Sequence, residues 1–295
     1  MKKSVKSPCI LTFIYSLFGK IGVFLAFFLV STASTVFSQE IGIPNFWDPN
    51  ERFIKPPITK LGNIRFITTT DFPPFSFVRG EKQISGFHID LARAICSELG
   101  ILSACQIQAL PWSEHESAMV KDADTVLISG LSIDATSRQK YAFTRTYLNL
   151  PGRFVGRKTN PIREPLYHNL SGKIVGFVDG TAHEAFLVSN FGRSYLRAFL
   201  DQDAALKALK NKEVEVVFSD SLLMAYWLHS KQSENCCEFT GGPYLSPDYF
   251  GKGLAIAVNP KNKELLSALN FALRSISDKG TFSELYLRYF PESLY

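Results

Sequence analysis

The sequence has no run of five or six charges of one sign, no internal repeat and no low-complexity tract. The missing charge runs exclude a basic arm for nucleic acid and an acidic tail. The missing repeats and tracts exclude a solenoid and a disordered chain. Cysteines number five, with no C-x-x-C pair and no His/Cys cluster, so no zinc-type site is expected. No Ser–His–Asp order and no paired carboxylates stand out. Gly130-Leu131-Ser132-Ile133-Asp134 looks superficially like a nucleophile elbow but lacks the second glycine. His115 and Glu116, beside Trp112, are the acid/base candidates near that region. Neither a cofactor nor catalysis is expected.

What is present is an ordinary globular composition of 295 residues, 46% hydrophobic and 20% charged, long enough for one large domain or two small ones. The formal charge is +5, but residues 1–38 carry Lys2, Lys3, Lys6 and Lys20 and no acid. Without them the charge is 5 − 4 = +1, and a near-neutral body has no general field for phosphate backbones. Residues 1–38 read as an export signal. A basic start precedes the apolar run Ile21 to Val30, then Ser31-Thr32-Ala33-Ser34, with cleavage expected after Val36-Phe37-Ser38 and before Gln39. A second apolar stretch, Cys9 to Phe18, leaves an uncleaved anchor as the alternative. The apolar core of about ten residues is too short to span a membrane by itself.

Four cysteines remain in the exported chain, where disulfides persist. Cys96 and Cys105 flank the end of a predicted helix and the following strand, and a bridge between them is expected. Cys236 and Cys237 are adjacent and form either a vicinal bridge or free thiols.

Residues 39–61, rich in Pro and Asn, read as an extended leader. Beyond them strand and helix patterns alternate. Strands are expected at 64–68, 125–128, 173–178, 215–218 and 254–258. Helices are expected at 89–99 (closed by Gly100), 182–189, 203–211, 221–230, 263–278 and 282–289. Asp90 opens a helix and reads as its cap. The alternation implies an α/β fold with parallel-rich sheets covered on both faces.

Five segments, in order over residues 62–291, resemble the bacterial solute-binding proteins of family 3, periplasmic receptors for polar amino acids. They are Asp71-Phe72-Pro73-Pro74-Phe75-Ser76-Phe77 with Ser85-Gly86-Phe87-His88-Ile89-Asp90-Leu91-Ala92; Gly130-Leu131-Ser132-Ile133 with Arg138, Phe143-Thr144 and Tyr147; Leu170 to Gly176 with Asp179-Gly180-Thr181; Val214 to Asp220; and Tyr249-Phe250-Gly251 through to Gly280-Thr281-Phe282. The resemblance implies a two-lobed periplasmic-binding-protein-like fold with two hinge strands. Lobe one would be 62–149 and 250–295, lobe two 150–249, with the ligand in the cleft between them.

It also implies a site. A buried zwitterion needs a partner for each charge. Arg138 would fork onto the carboxylate, and Asp220, at a strand's carboxyl end, would take the ammonium. Thr181, at a helix start, would add to the carboxylate site. Phe72 and Trp112 would flank the ligand side chain, and Ser129, Gly130, Ser132 and His183 complete the ligand-binding set. One departure stands out. The family commonly shows Ser-Ile-Thr-x-x-Arg, whereas Ser132-Ile133-Asp134-Ala135-Thr136-Ser137-Arg138 has one extra residue. Thr69 stands where receptors for basic amino acids carry an acid, which disfavours a basic ligand. The implied function is a monomeric periplasmic receptor that captures a small solute, an amino acid, and hands it to the permease of a membrane ABC transporter. The alternatives are an enzyme of the same fold, of cyclohexadienyl dehydratase type, and a periplasmic sensor.

Overall fold

The computed structural model describes residues 43, 45–48, 50–54, 57, 62–80 and 83–295. The expected export signal lies outside the described residues. In chain order the strands are β1 (Ile64–Thr68), β2 (Asp71–Phe72), β3 (Ser76–Arg79), β4 (Gln83–Ser85), β5 (Cys105–Ala109), β6 (Thr125–Leu127), β7 (Ala142–Phe143), β8 (Gly152–Arg157), β9 (Ile174–Val178), β10 (Tyr195–Phe199), β11 (Val216–Asp220), β12 (Cys237–Tyr244) and β13 (Ala257–Val258). The helices are α1 (Phe87–Leu99), α2 (Trp112–Lys121), α3 (Ala135–Lys140), α4 (Leu166–Asn169), α5 (Ala182–Asn190), α6 (Gln202–Lys210), α7 (Ser221–Leu228), α8 (Pro247–Phe250), α9 (Lys263–Asp278) and α10 (Thr281–Tyr289).

Two five-stranded sheets organise the chain as two lobes. One has the order β5-β1-β6-β13-β7 and the other β10-β9-β11-β8-β12. In the first, β5, β1 and β6 are parallel and β13 runs against β6 and β7. In the second, β10, β9 and β11 are parallel and β8 runs against β11 and β12. Successive strand residues point to opposite faces, and both faces are covered. In the first sheet Phe66, Val126 and Ile256 pack under α1, α9 and α10, while Ile67, Leu127 and Ala257 pack against Ala118 and Met119 of α2. In the second, Phe154, Val216 and Phe218 join Phe186 and Leu187 of α5, while Val155 and Val217 meet Leu206, Leu209, Met224 and Trp227.

The chain crosses between the sheets twice, from β7 to β8 and from α8 to β13. The crossings pair at Leu148 and Leu254. The Leu254 N–H donates to the Leu148 carbonyl at 2.7 Å, and the Tyr147 N–H to the Leu254 carbonyl at 2.9 Å. That pairing shortens the expected strand 254–258 to β13, because Leu254 is drawn into the crossing. Leu222 and Ala225 of α7 share a buried cluster with Leu148, Phe290 and Leu294, so the lobes also touch beside the crossings.

Asp90 corrects one expectation. Helix α1 begins at Phe87, three residues before it, so the Asp90 carboxylate is no cap. It accepts instead from Arg93 (3.2 Å), Arg288 (3.0 Å) and the Tyr289 hydroxyl (2.7 Å), tying α1 to α10. The described leader residues form neither helix nor strand. Trp47 packs on the first lobe's core, the Phe46 ring lies 5.5 Å from that of Tyr295, and Glu51 pairs with Arg145.

Both cysteine pairs are bridged. Cys96, on α1, and Cys105, opening β5, have Cα atoms 6.3 Å apart, and Cys236 and Cys237 form a vicinal bridge. The first closes a loop over a separation of 9 residues. On the chain-entropy account such a loop contributes about 2–3 kcal/mol. Replacing both Cys96 and Cys105 by serine is expected to lower the unfolding free energy by that amount in a urea titration. Replacing Cys236 and Cys237 together should remove almost no loop entropy, since their separation is 1.

Candidate functional site

Open α/β sheets bind ligands at the carboxyl ends of their parallel strands. In both sheets that edge faces the crossings. In the first, β6 runs out into Ile128, Ser129 and Gly130. In the second, β11 ends at Asp220, opposite Gly152, the first residue of β8 after the crossing. The Ser221 N–H donates to the Pro151 carbonyl at 3.0 Å, which fixes Asp220 beside the hinge. Between the two edges lies an open groove of about 510 Å³, with Gly130, Ser132 and Asp134 on one wall and Leu150, Tyr249 and Phe250 on the other.

On the first lobe Phe72 is half-buried and stacks on Phe75, with centroids 4.7 Å apart. Its edge lies against Gly130. A Cβ there would sit 2.6 Å from Phe72 Cε1, and the backbone has φ +78°, so both space and conformation require glycine. Ser129 is buried with its hydroxyl unpartnered among the described residues, and Ser132 is exposed on the groove wall. Trp112 opens α2, 46% exposed, with its ring 4.8 Å from that of His115. The His115 Nε2 pairs with the Leu110 carbonyl at 3.1 Å, and burial pushes its pKa below the ordinary value.

In the segment with the extra residue before Arg138, a reciprocal cap sets the phase of α3. Asp134 is the N-cap, and its carboxylate accepts from the Ser137 N–H (2.8 Å) while its own N–H donates to the Ser137 hydroxyl (3.0 Å). Hydrogen bonds from the Ser137 amide hold the Asp134 carboxyl below its usual range. Ser137 is therefore the inward residue of the turn. Arg138, one step further round, is exposed with its guanidinium 6.0 Å from the Phe143 centroid. Neither Arg138 nor Trp112 lines the groove.

On the second lobe Thr181 caps α5. Its hydroxyl donates to the Val178 carbonyl (2.7 Å) and accepts from the Glu184 N–H (3.4 Å). The first amides of that helix have no intrahelical partners. The His183 imidazole stacks on Phe250 at 5.0 Å and meets the Phe218 edge at 5.7 Å, and burial pushes its pKa down to about 4. It is neutral near pH 7 and can only hydrogen-bond. Asp220 caps α7 through Oδ1, which accepts from Leu222 (2.9 Å) and Leu223 (3.1 Å). Burial outweighs those two amides and raises its pKa above the ordinary aspartate value. No basic side chain pairs with it among the described residues. A Cβ on the neighbouring Gly152 would lie 3.0 Å from Phe250 Cζ. His183 thus lies against Phe250 of the groove wall, while Phe72, Ser129, Thr181, His183 and Asp220 are not themselves among the residues that line the groove.

Beneath the Phe72 wall is a residue that the motif reading passed over. His88 is fully buried, with Nε2 2.8 Å from the Tyr147 hydroxyl. Burial pushes its pKa down to about 3. The unfolded chain then binds a proton that the folded one refuses, between the unfolded value near 6.5 and about 3. The stability from neutral His88 is complete above pH 6.5 and lost as pH falls towards 3. The unfolding midpoint is expected to drop over that window, and His88→Gln should flatten the drop.

Residues 64–292 match the bacterial extracellular solute-binding proteins, family 3. The chain is 30% identical over 236 residues to the ABC transporter arginine-binding protein 1 of Escherichia coli, covering 78% of this chain and 91% of that one. The fold is similar to the L-cystine solute receptor of Neisseria gonorrhoeae in its unliganded open conformation, with a TM-score of 0.66 and 15% identity over 80% of this chain and 96% of that one. It is also similar to an ancestral cyclohexadienyl dehydratase, with a TM-score of 0.63 and 17% identity over 81% of this chain and 98% of that one.

Proposed function

Because this chain belongs to the bacterial extracellular solute-binding proteins of family 3, we propose that it binds one amino acid between its lobes and delivers it to the permease of an ABC importer. Asp220 carries the reading. A partly buried carboxylate with no basic partner is costly, and it stands at the hinge edge where a ligand ammonium would neutralise it. Arg138 and the free amides at Thr181 would hold the ligand carboxylate, with Arg138 turning inward from its place over Phe143. Phe72, Gly130, Ser129 and Ser132 from lobe one and His183 from lobe two would enclose the rest, with Trp112 at the rim. The lobes divide at 62–149 with 250–295 and at 150–249, behind a signal over 1–38 and a leader over 39–61. The receptor acts as a monomer outside the cytoplasmic membrane, without chemistry on its ligand.

A thermal-shift screen against the amino acids tests this. A ligand at 100 times its Kd adds about 2.7 kcal/mol of stability, visible as a rise of several degrees. No rise with any amino acid, together with turnover of a cyclohexadienyl acid, would replace the reading with the enzymatic one. The raised Asp220 pKa sets a further expectation. An ammonium partner favours the charged form, so binding releases a proton wherever free Asp220 is protonated. Affinity should climb with pH from the ordinary aspartate range to somewhat above it, then level off, when followed by calorimetry in buffers of different pH.

A further inference from the structure

The His88–Tyr147 pair joins two parts of the molecule that the ligand site leaves separate. His88 lies on the first turn of α1, and its N–H donates to the Phe75 carbonyl at 2.8 Å. Its ring is 4.9 Å from Phe75 and 6.0 Å from Phe72. Phe75 in turn stacks on Phe72, whose edge closes against Gly130 at the groove. From Nε2 the contact runs the other way, to a Tyr147 hydroxyl that has no other hydrogen-bond partner among the described residues. The Tyr147 N–H is one of the two hydrogen bonds of the crossing. The Tyr147 side chain thus anchors the start of the crossing to lobe one, just ahead of Asn149, whose N–H donates to the Tyr295 hydroxyl at 3.0 Å.

We infer that His88 is a positioning residue for ligand capture: its imidazole fixes Tyr147, and so sets where the hinge begins relative to the Phe72 wall. The ring suits this role because Nε2 engages Tyr147 from within the core, while Nδ1 is buried without a partner among the described residues. Leucine or phenylalanine would fill a similar volume but could not engage the hydroxyl. With the anchor lost, bending would spread back from Leu148 into Tyr147, and the lobes would sample a wider range of openings.

The inference rests on the receptor reading, but its test needs no ligand, so failure of the one is distinguishable from failure of the other. Tyr147→Phe and His88→Leu each leave a buried polar atom unpaired and should lower Tm. The doubly substituted protein leaves no orphan and should recover much of that loss. Single-molecule energy transfer between fluorophores at Val120 and Tyr195, both exposed and one in each lobe, then reports the interlobe distance in the ligand-free protein. The expected result is a broader distance distribution in both single variants and in the double one, despite its recovered Tm. A wild-type distribution in Tyr147→Phe and in the double variant would overturn the inference and leave the pair as packing alone. Should the double variant fail to fold, Tyr147→Phe, which removes a single oxygen, decides the matter by itself.

Discussion

Asp220→Asn is expected to weaken amino-acid binding by about 3 kcal/mol, more than 100-fold in Kd, while the protein stays folded. The amide oxygen of asparagine can still accept from the Leu222 and Leu223 N–H groups that Oδ1 now engages, and asparagine caps helices as well as aspartate does. What disappears is the negative charge, and with it the partner of a desolvated ligand ammonium. Removing a carboxylate that burial has made costly should even raise the Tm of the ligand-free protein slightly. Calorimetric titration and thermal unfolding of the same variant separate the two effects. Unchanged affinity would show that the ammonium sits elsewhere. Loss of the cap instead, in Asp220→Ala, should add about 1 kcal/mol of destabilisation to the binding defect.

Gly253→Ala should be among the more damaging single-methyl additions. Gly253 sits at the crossing with φ +80°, and a Cβ there would lie 2.2 Å from Asn149 Oδ1, 2.4 Å from Thr146 Cγ2 and 2.6 Å from the Leu148 carbonyl oxygen. The Asn149 side chain can move aside. The Leu148 oxygen cannot, because it accepts the Leu254 N–H that pairs the crossings. The left-handed backbone adds about 1 kcal/mol, and forcing the strands apart brings the expected cost to about 2–4 kcal/mol, a fall of roughly 5–15 °C in Tm. Gly100→Ala is the control. Its backbone is left-handed, with φ +71° and ψ +25°, but a Cβ would meet nothing within 4 Å, so only the conformational part, about 1 kcal/mol, should appear. Equal losses in the two variants would remove the steric argument.

The interior strands were readable because they are apolar throughout. The runs at 125–128 and 215–218 overlap β6 and β11, covered on both faces. The edge strands were not. In β10 Tyr195 is 69% exposed, and β12 contains two glycines and a proline, so neither carries a hydrophobic signal. Helix α2 buries His115, Ala118 and Met119 among glutamates and serine, too polar a stripe for periodicity to single out. At the candidate site, the positions of Thr181 and Asp220 as helix caps were legible because Asp220 closes a strand and Thr181 lies three residues beyond one. The outward turn of Arg138 was foreshadowed by the extra residue, but the phase of α3 is set by the reciprocal Asp134–Ser137 cap, which spacing alone does not specify. The His88–Tyr147 contact joins residues 59 apart in the chain. No local pattern encodes such a pairing, and it emerges only when α1 packs beneath the crossing.

The two disulfides leave an unusual signature in peptide mapping. Between Arg93 and Lys121 there is no lysine or arginine, nor is there between Lys231 and Lys252. Trypsin therefore releases Cys96 with Cys105 in one peptide, 94–121, and Cys236 with Cys237 in another, 232–252. Neither bridge staples two fragments together, so oxidised and reduced digests give the same number of peptides. The oxidation state of each pair is written only in mass, as the absence of two hydrogens from a single fragment, and the two pairs can be scored independently in one spectrum.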